Sequence, residues 1–396
     1  MTFIQSLNLP GLLSFPPDAE PLALEPLNVV IGPNGSGKSN LIEAFEILRT
    51  LSTDFGTVFR EGGGSSQWFW KGNDFEYLAK IELVKGADFM HELPISYRLE
   101  FMDMANRPWI YCEEIEGIQF EPDSDKQTLY YRYRSREATI RVQDFGSKTA
   151  SYQNLGGKDV TNEQSVFSQR RDLLLYPELT WLGRQFSSIQ TFREWSFGRN
   201  TALRKPQPTD LPDDQLLPDA SNLAVILNGV EQSGEKWNRF NELLKKFFPR
   251  FNRMTTRTSG GAIQFYLHEL DFDKPIPATR ISDGTLRFVA MLAVLLSPNP
   301  PPLVCIEEPE LGLHPDAVML MGDVLKEASE RMQLVVTTHS NALVSAFSDR
   351  ANAVVTCERP DAGTVLRRLD PNELADLLED HTLGHLWRQG ELGANP

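Results

Sequence analysis

LALEPLNVVIGPNGSGKSNLIEAFEILRTL, residues 22–51, runs from an apolar segment through a glycine-rich loop into a segment with helical apolar spacing. The middle portion, Gly32 to Ser39, fits the pattern G-x-x-x-x-G-K-[ST] without a mismatch. Glycines at Gly32, Gly35 and Gly37 let successive backbone N–H groups turn inward and surround an anion. A helix that starts at the end of the loop adds the positive end of its dipole to the same point. In such a loop, Lys38 reaches the β and γ phosphates of a nucleotide and the Ser39 hydroxyl sits on Mg2+. Pro33, Asn34, Ser36 and Asn40 complete the candidate cradle. At average residue usage, a chain of this length matches the pattern by chance on the order of once in a hundred. The flanking strand and helix make chance a still poorer account.

Outward from the loop, the C-terminal third supplies carboxylates. Leu303 to Ile306 is an apolar strand that ends on Glu307 and Glu308, and the carboxyl ends of such strands are where ligands sit in open α/β sheets. One acid can hold a metal and the next can orient or deprotonate water. Ser282-Asp-Gly-Thr285 precedes an apolar helix, so Ser282 or Asp283 equally fits a plain N-cap. His339 closes another apolar strand, where an isolated histidine is ordinarily a packed or solvated residue.

The chain has 396 residues and a net charge of −15, with 41% hydrophobic residues, the make-up of an ordinary globular protein. Its longest apolar run, Phe288 to Leu296, is far below membrane-spanning length, and MTFIQSLNLP lacks the features of a secretory signal. Cys112, Cys305 and Cys357 have neither disulfide-framework nor zinc spacing. The expected setting is cytoplasmic, with no membrane contact. Acidity argues against indiscriminate coating of nucleic acid.

Strand-like text from Phe75 to Phe145 predicts an antiparallel β lobe. Pro- and Asp-rich residues 196–219 mark a linker, followed by two helices, with the second ending at Pro249. Two stretches combine arginine with aromatics. Strand alternation puts Arg132, Arg134 and Arg136 on one face, and Arg193, Arg199 and Arg204 accompany Trp195 and Phe197. They fit a nucleic-acid backbone or, more plainly, a solvated face paired with nearby acids. His381 and His385 lack the glutamate that H-E-x-x-H needs and read as helix residues.

Taken in order, the glycine loop, ISDGTLRF, PPLVCIEEPELGLHP and LVVTTHS resemble the ATP-binding cassette ATPases, most closely their RecF/SMC/OLD-like branch, whose members are often described as AAA-type. The likeness is sharp over 27–49 and 280–345. It implies an α/β, ABC/SMC-type P-loop NTPase head with a mixed sheet, an antiparallel β lobe and a helical insertion. Lys38 and Ser282 are 244 positions apart, which fits an elaborated lobe rather than a compact AAA+ module. The expected division is 1–149 for the N-terminal half-head, 150–270 for the insertion and 271–396 for the C-terminal half-head.

By the same resemblance, two heads form a homodimer that sandwiches ATP. Ser282, Asp283, Gly284 and Thr285 become the signature that caps the other head's nucleotide. Glu308 becomes the catalytic glutamate, His339 the switch histidine and Pro309 to Pro315 the D-loop. Lys38 joins Glu308 and His339 as catalytic, while Ser39 and Glu307 become the metal ligands. Glu307 and Asp283 depart from the usual aspartate and glycine. Gln190, with Gln67 behind it, is the candidate Q-loop residue, and Trp68 or Trp70 either stacks on adenine or belongs to the core. The 57 residues after His339 are fewer than an OLD-type nuclease domain needs, so any destructive chemistry is expected on a separate effector protein. The leading expectation is an ATPase that switches a partner or senses nucleic acid in phage defence or genome maintenance. A nucleotide-gated scaffold that holds or inhibits an effector, with incidental hydrolysis, is the alternative.

Overall fold

A computed structural model describes residues 2–72, 78–87, 93–118, 128–144, 149–193, 195–360 and 363–394. Phe75 and Phe145, the expected ends of the β lobe, lie outside that set. The chain divides into two compact units. One comprises residues 1–189, 352–369 and 392–396, and the other residues 190–351 and 370–391. The main boundary therefore falls after Ile189, within the span 150–270 expected as one insertion.

The first unit opens with β1 (Ile4–Asn8), β2 (Leu22–Ala23) and β3 (Leu27–Ile31). The apolar segment over 22–31 is not one continuous strand. Instead, Asn28 bonds both backbone groups of Glu25 (2.9 and 2.7 Å), making a turn at Glu25-Pro26 that separates β2 from β3. Helices α1 (Lys38–Thr50) and α2 (Gly56–Glu61) follow. The lobe is β4 (Leu78–Lys85), β5 (Ile95–Asp103), β6 (Pro108–Gly117), β7 (Thr128–Arg134), β8 (Glu137–Gln143) and β9 (Ala150–Leu155). With β1 and β2 these strands make an eight-stranded antiparallel sheet in the order β2-β1-β4-β5-β6-β7-β8-β9. The lobe thus recruits the chain's first strands, beyond the expected span.

Alternation along β4 and β5 buries Ala79, Ile81, Leu83, Tyr97, Leu99 and Phe101. Against Phe101 pack Phe55, Phe59 and Phe69 edge-to-face, with Trp68 on Phe59. Trp68 and Trp70 are 3% and 9% exposed, which places both in the core. Helices α3 (Val166–Gln169) and α4 (Pro177–Ser187) complete this part of the unit. A fully buried carboxylate, Glu113, joins β6 to the start of α3. It accepts from the Tyr97 hydroxyl (3.0 Å), Ser165 Oγ (2.5 Å) and the Val166 N–H (2.9 Å).

The second unit contains β10 (Gln190–Phe192), β11 (Gln207–Pro208), α5 (Leu223–Gln232), α6 (Glu235–Phe247), β12 (Phe251–Ser259), β13 (Ala262–Glu269) and β14 (Ile276–Pro277). The span 150–270, expected as a helical and linker insertion, carries α3 to α6 and also the antiparallel pair β12 and β13, which β11 extends. Then come α7 (Asp283–Leu295), β15 (Leu303–Glu307), α8 (Pro315–Ala328), β16 (Gln333–Thr338) and α9 (Asn341–Ser345). Strands β10, β15 and β16 are parallel neighbours, and β15 and β16 are buried almost throughout, as strands covered on both faces are. β17 (Val354–Glu358) and β18 (Val365–Arg368) return to the first unit, where β17 runs parallel to β3. Helices α10 (Ala375–Asp380) and α11 (Leu383–Gln389) close the second unit. His381 and His385 stack there at 4.7 Å.

Candidate nucleotide site

In the first unit, the wholly buried β3 delivers Gly32 into the loop and α1 takes over at Lys38. Gly37 caps that helix in a left-handed conformation (φ 111°) with no side-chain cap bond, so the first-turn N–H groups turn toward the loop. A methyl group at Gly32 would lie 2.1 Å from the Cys357 carbonyl oxygen, and one at Gly37 would lie 2.3 Å from Thr364 Oγ1. Only glycine permits this approach of β17 and its successor to the loop. The Thr364 hydroxyl lies 2.7 Å from the Ser36 carbonyl oxygen and 2.6 Å from Ser14 Oγ, to which Asn40 Nδ2 also donates (2.6 Å). Cys357 Sγ reaches the same Ser36 carbonyl at 3.4 Å, and burial pushes its thiol up.

Lys38 is 6% exposed, and its ammonium donates to the carbonyls of Gly32 (2.8 Å) and Pro33 (2.9 Å). The cation is thus held across the loop's own backbone. Ser36 Oγ is buried with no hydrogen-bond partner among the described residues. The N-terminus of α1, a buried cation and an orphaned hydroxyl are together the donor set of a phosphate cradle.

In the second unit, parallel pairing of β15 with β16 aligns Glu307 with Thr337. The residues that follow each strand therefore emerge side by side. Glu308 donates its N–H to the Thr337 carbonyl (2.9 Å) and takes φ +48°, a left-handed conformation unusual for a glutamate. Its Oε1 lies 3.7 Å from His339 Nε2. Glu310, two residues on, accepts from the Thr338 hydroxyl (2.5 Å) and the His339 N–H (3.0 Å). Burial pushes the Glu310 carboxyl above the usual range against these bonds. Arg193, just past β10, donates to Glu307 Oε2 at 3.1 Å.

The Ser282 hydroxyl accepts from the Thr285 N–H (3.2 Å) and so N-caps α7, which is the plainer of its two sequence readings. A methyl group at Gly284 would lie 2.7 Å from the Gly312 carbonyl oxygen, so the signature turn packs directly on the backbone of Pro309–Pro315. Asp283 is ion-paired with Arg204. Arg287 sets its guanidinium 5.2 Å from the Phe197 ring, and burial lowers its pKa beside Glu310 and Glu308.

Several expectations need correction. Arg204 is 3% exposed and belongs to no surface strip. Arg136 sits with Ser135 in a hairpin turn, both at positive φ, and so leaves the face of Arg132 and Arg134. Arg132 pairs with Glu114 and Glu116 and Arg98 with Glu82, a ladder of opposite charges across the lobe's solvent face. The amide of Gln190 is committed to Gln215 and Leu216 inside β10, and Gln67 holds Lys71. The sequence gives no sign of Thr364 at the loop, and it offers Arg193 and Arg204 only as members of a basic stretch, because the partners of all three are distant in the chain. Sequence reading also passed over Glu310, although that residue stands within the PELGLHP segment.

With a P-loop in one unit and acids beside a histidine at parallel strand ends in the other, the protein is an ATPase of the SMC/RecF/OLD-like ABC type. The family model described as "AAA domain, putative AbiEii toxin, Type IV TA system" matches residues 27–345, and the chain belongs to that family. The chain is also similar to a curated protein, the Old nuclease of Escherichia phage P2, at 36% identity over 76 residues. That match spans 19% of this chain and 13% of the phage protein. Among solved structures, it is similar to an SMC head bound to the C-terminal winged-helix domain of ScpA. There the TM-score is 0.57 at 15% identity, covering 94% of this chain and 99% of that one. A Pyrococcus furiosus structure, an SMC head with an extended coiled coil bound to the C-terminal domain of ScpA, gives a TM-score of 0.55 at 13% identity. That likeness covers 96% of this chain and 99% of that one. At these identities the structural likeness concerns the fold.

Proposed function

We propose that the chain hydrolyses ATP, pairs with a second copy of itself around the nucleotide, and uses that pairing to switch a protein effector. The observation that carries hydrolysis is the left-handed Glu308 held 3.7 Å from His339 at the end of β15. Strain at a non-glycine residue is kept where a side chain must be aimed. Glu308 would accept a proton from water attacking the γ-phosphate, and His339, fixed through its backbone by Glu310, would hold the far side of that phosphate. Lys38 and the loop amides would bind the β and γ phosphates.

Ser39 and Glu307 offer the hydroxyl and carboxylate oxygens that suit Mg2+, with Arg193 orienting Glu307. Among the described residues no group of three or more His, Cys, Asp or Glu could hold a metal alone, which fits an ion shared with substrate phosphates. When bound, Mg2+ would neutralise charge on those phosphates. Ser282 to Thr285 would cap the partner copy's nucleotide.

An effector protein is favoured over nucleic acid because Arg132, Arg193 and Arg204 are already committed to Glu114, Glu307 and Asp283. The family description, with its toxin–antitoxin wording, supports a role in a defence system. Among the described residues no helix is long and apolar enough to cross a membrane, and we place the chain in the cytoplasm. The test is the mass in solution of the Glu308→Gln protein with ATP, and what co-purifies with it. A dimer carrying a protein effector supports the reading. A monomer under saturating ATP refutes the pairing, and captured nucleic acid refutes the choice of partner.

A further inference from the structure

Arg204 is a buried cation with every nitrogen engaged. Nε donates to the Phe197 carbonyl (2.8 Å), Nη1 to those of Ala278 (3.0 Å) and Ile281 (2.7 Å), and Nη2 to the Asp283 carboxylate. Ile281 immediately precedes the Ser282 cap and Asp283 begins α7, so the one guanidinium grips both sides of the signature turn. Its planar fork matches this set of oxygens, whereas a lysine ammonium would have to choose among them.

Charge adds a second consequence. Asp283 is 71% exposed at the first turn of a helix, where a carboxylate suits the dipole yet repels an arriving phosphate. The three carbonyls that Arg204 binds are neutral, so Asp283 is the one anion among the partners named. Arg204 is 3% exposed, and a buried cation requires such a partner.

We infer that Arg204 is a positioning residue for the signature segment: it fixes the entry to α7 and cancels the Asp283 charge, so that Ser282, Gly284 and Thr285 can meet a phosphate from a second copy. This rests on the ATP-pairing reading above. It also predicts a local structural effect that is independent of turnover.

The test follows amide hydrogen exchange over residues 278–287 together with ATP turnover and single-protomer ATP binding. In Arg204→Gln, exchange over that segment rises about tenfold or more while the rest of the chain is unchanged. Turnover falls at least about tenfold, and protomer binding stays within about twofold. Adding Asp283→Asn to Arg204→Gln recovers several-fold of the lost turnover, because the uncompensated carboxylate is gone. A purely structural role would give no such recovery. Wild-type exchange in Arg204→Gln overturns the positioning, and failure of the double variant to recover overturns the charge cancellation. If Arg204→Gln does not fold, Arg204→Lys keeps the cation without the fork, and faster exchange over 278–287 is again expected, with wild-type exchange refuting it. Wild-type protein that turns over no ATP would count against the proposed function, while the exchange result would still decide the role of Arg204.

Discussion

His339 Nε2 stands 3.7 Å from Glu308 Oε1, although the two are 31 positions apart in the chain. Parallel pairing of β15 with β16 makes them neighbours, and the +48° φ of Glu308 turns that residue out of the strand line. Glu310 bonds the His339 N–H, so the backbone of the histidine is fixed from the same loop. A candidate base and its partner are held in place by main-chain geometry.

Glu308→Gln removes the acceptor for the proton and keeps the shape. ATP binding is expected to persist while turnover falls roughly a hundredfold or more, the usual contribution of a general base. Phosphate release under single-turnover conditions measures it. Turnover near wild type would assign the base to another residue.

Lys38→Ala takes away the ammonium that bridges the Gly32 and Pro33 carbonyls. Hydrogen bonds to a charged group are worth about 1.5–3 kcal/mol, so nucleotide affinity should drop about ten- to a hundredfold. Titration with a fluorescent ATP analogue reports it, and unaltered affinity would be incompatible with the loop as the phosphate site.

Gly32→Ala forces a methyl group to within 2.1 Å of the Cys357 carbonyl oxygen, a backbone atom that cannot swing aside. A loss of about 1–3 kcal/mol is expected, as for other overpacked interiors. Gly35→Ala has nothing within 4 Å and meets only the cost of its +77° φ. Urea unfolding of the two variants should rank Gly32→Ala as the less stable, and the reverse order would contradict the packing.

Burial raises the Glu113 carboxyl, outweighing the bonds from Ser165, Val166 and Tyr97. The folded protein then holds this proton more tightly than the unfolded chain does. The contribution of Glu113 to stability is present below the ordinary glutamate range and is lost as pH rises through the raised value. Glu113→Gln cannot ionise, so its stability should decline less steeply with pH across this window. Urea midpoints between about pH 4 and pH 8 compare the slopes, and identical slopes would show that Glu113 does not titrate there.

Legibility followed locality. The glycine loop was readable because its conformation is set by adjacent residues, and the apolar runs of β15, β16 and α7 were readable because burial leaves a continuous pattern. The alternation expected to carry Arg132, Arg134 and Arg136 on one face is broken by a hairpin, since the Ser135-Arg136 turn takes positive φ without the glycine or asparagine that announces one. Arg204 looked like part of an exposed basic strip because its composition says nothing of the four acceptors gathered around it. Trp68 and Trp70 are ambiguous in the sequence, and the packing of Trp68 on Phe59 and the burial of Trp70 place them in the core.

By itself the sequence determined that this chain carries a phosphate-binding loop and the ordered motifs of an ABC-type ATPase, because those motifs are contiguous and their chemistry resides in short backbone turns. The tertiary structure alone decided that Glu308 meets His339, that Glu310 holds the histidine backbone, and that Asp283 is neutralised by Arg204. Each of those relations depends on which strands become neighbours and which charges are buried together, and both are set by contacts between residues far apart in the chain.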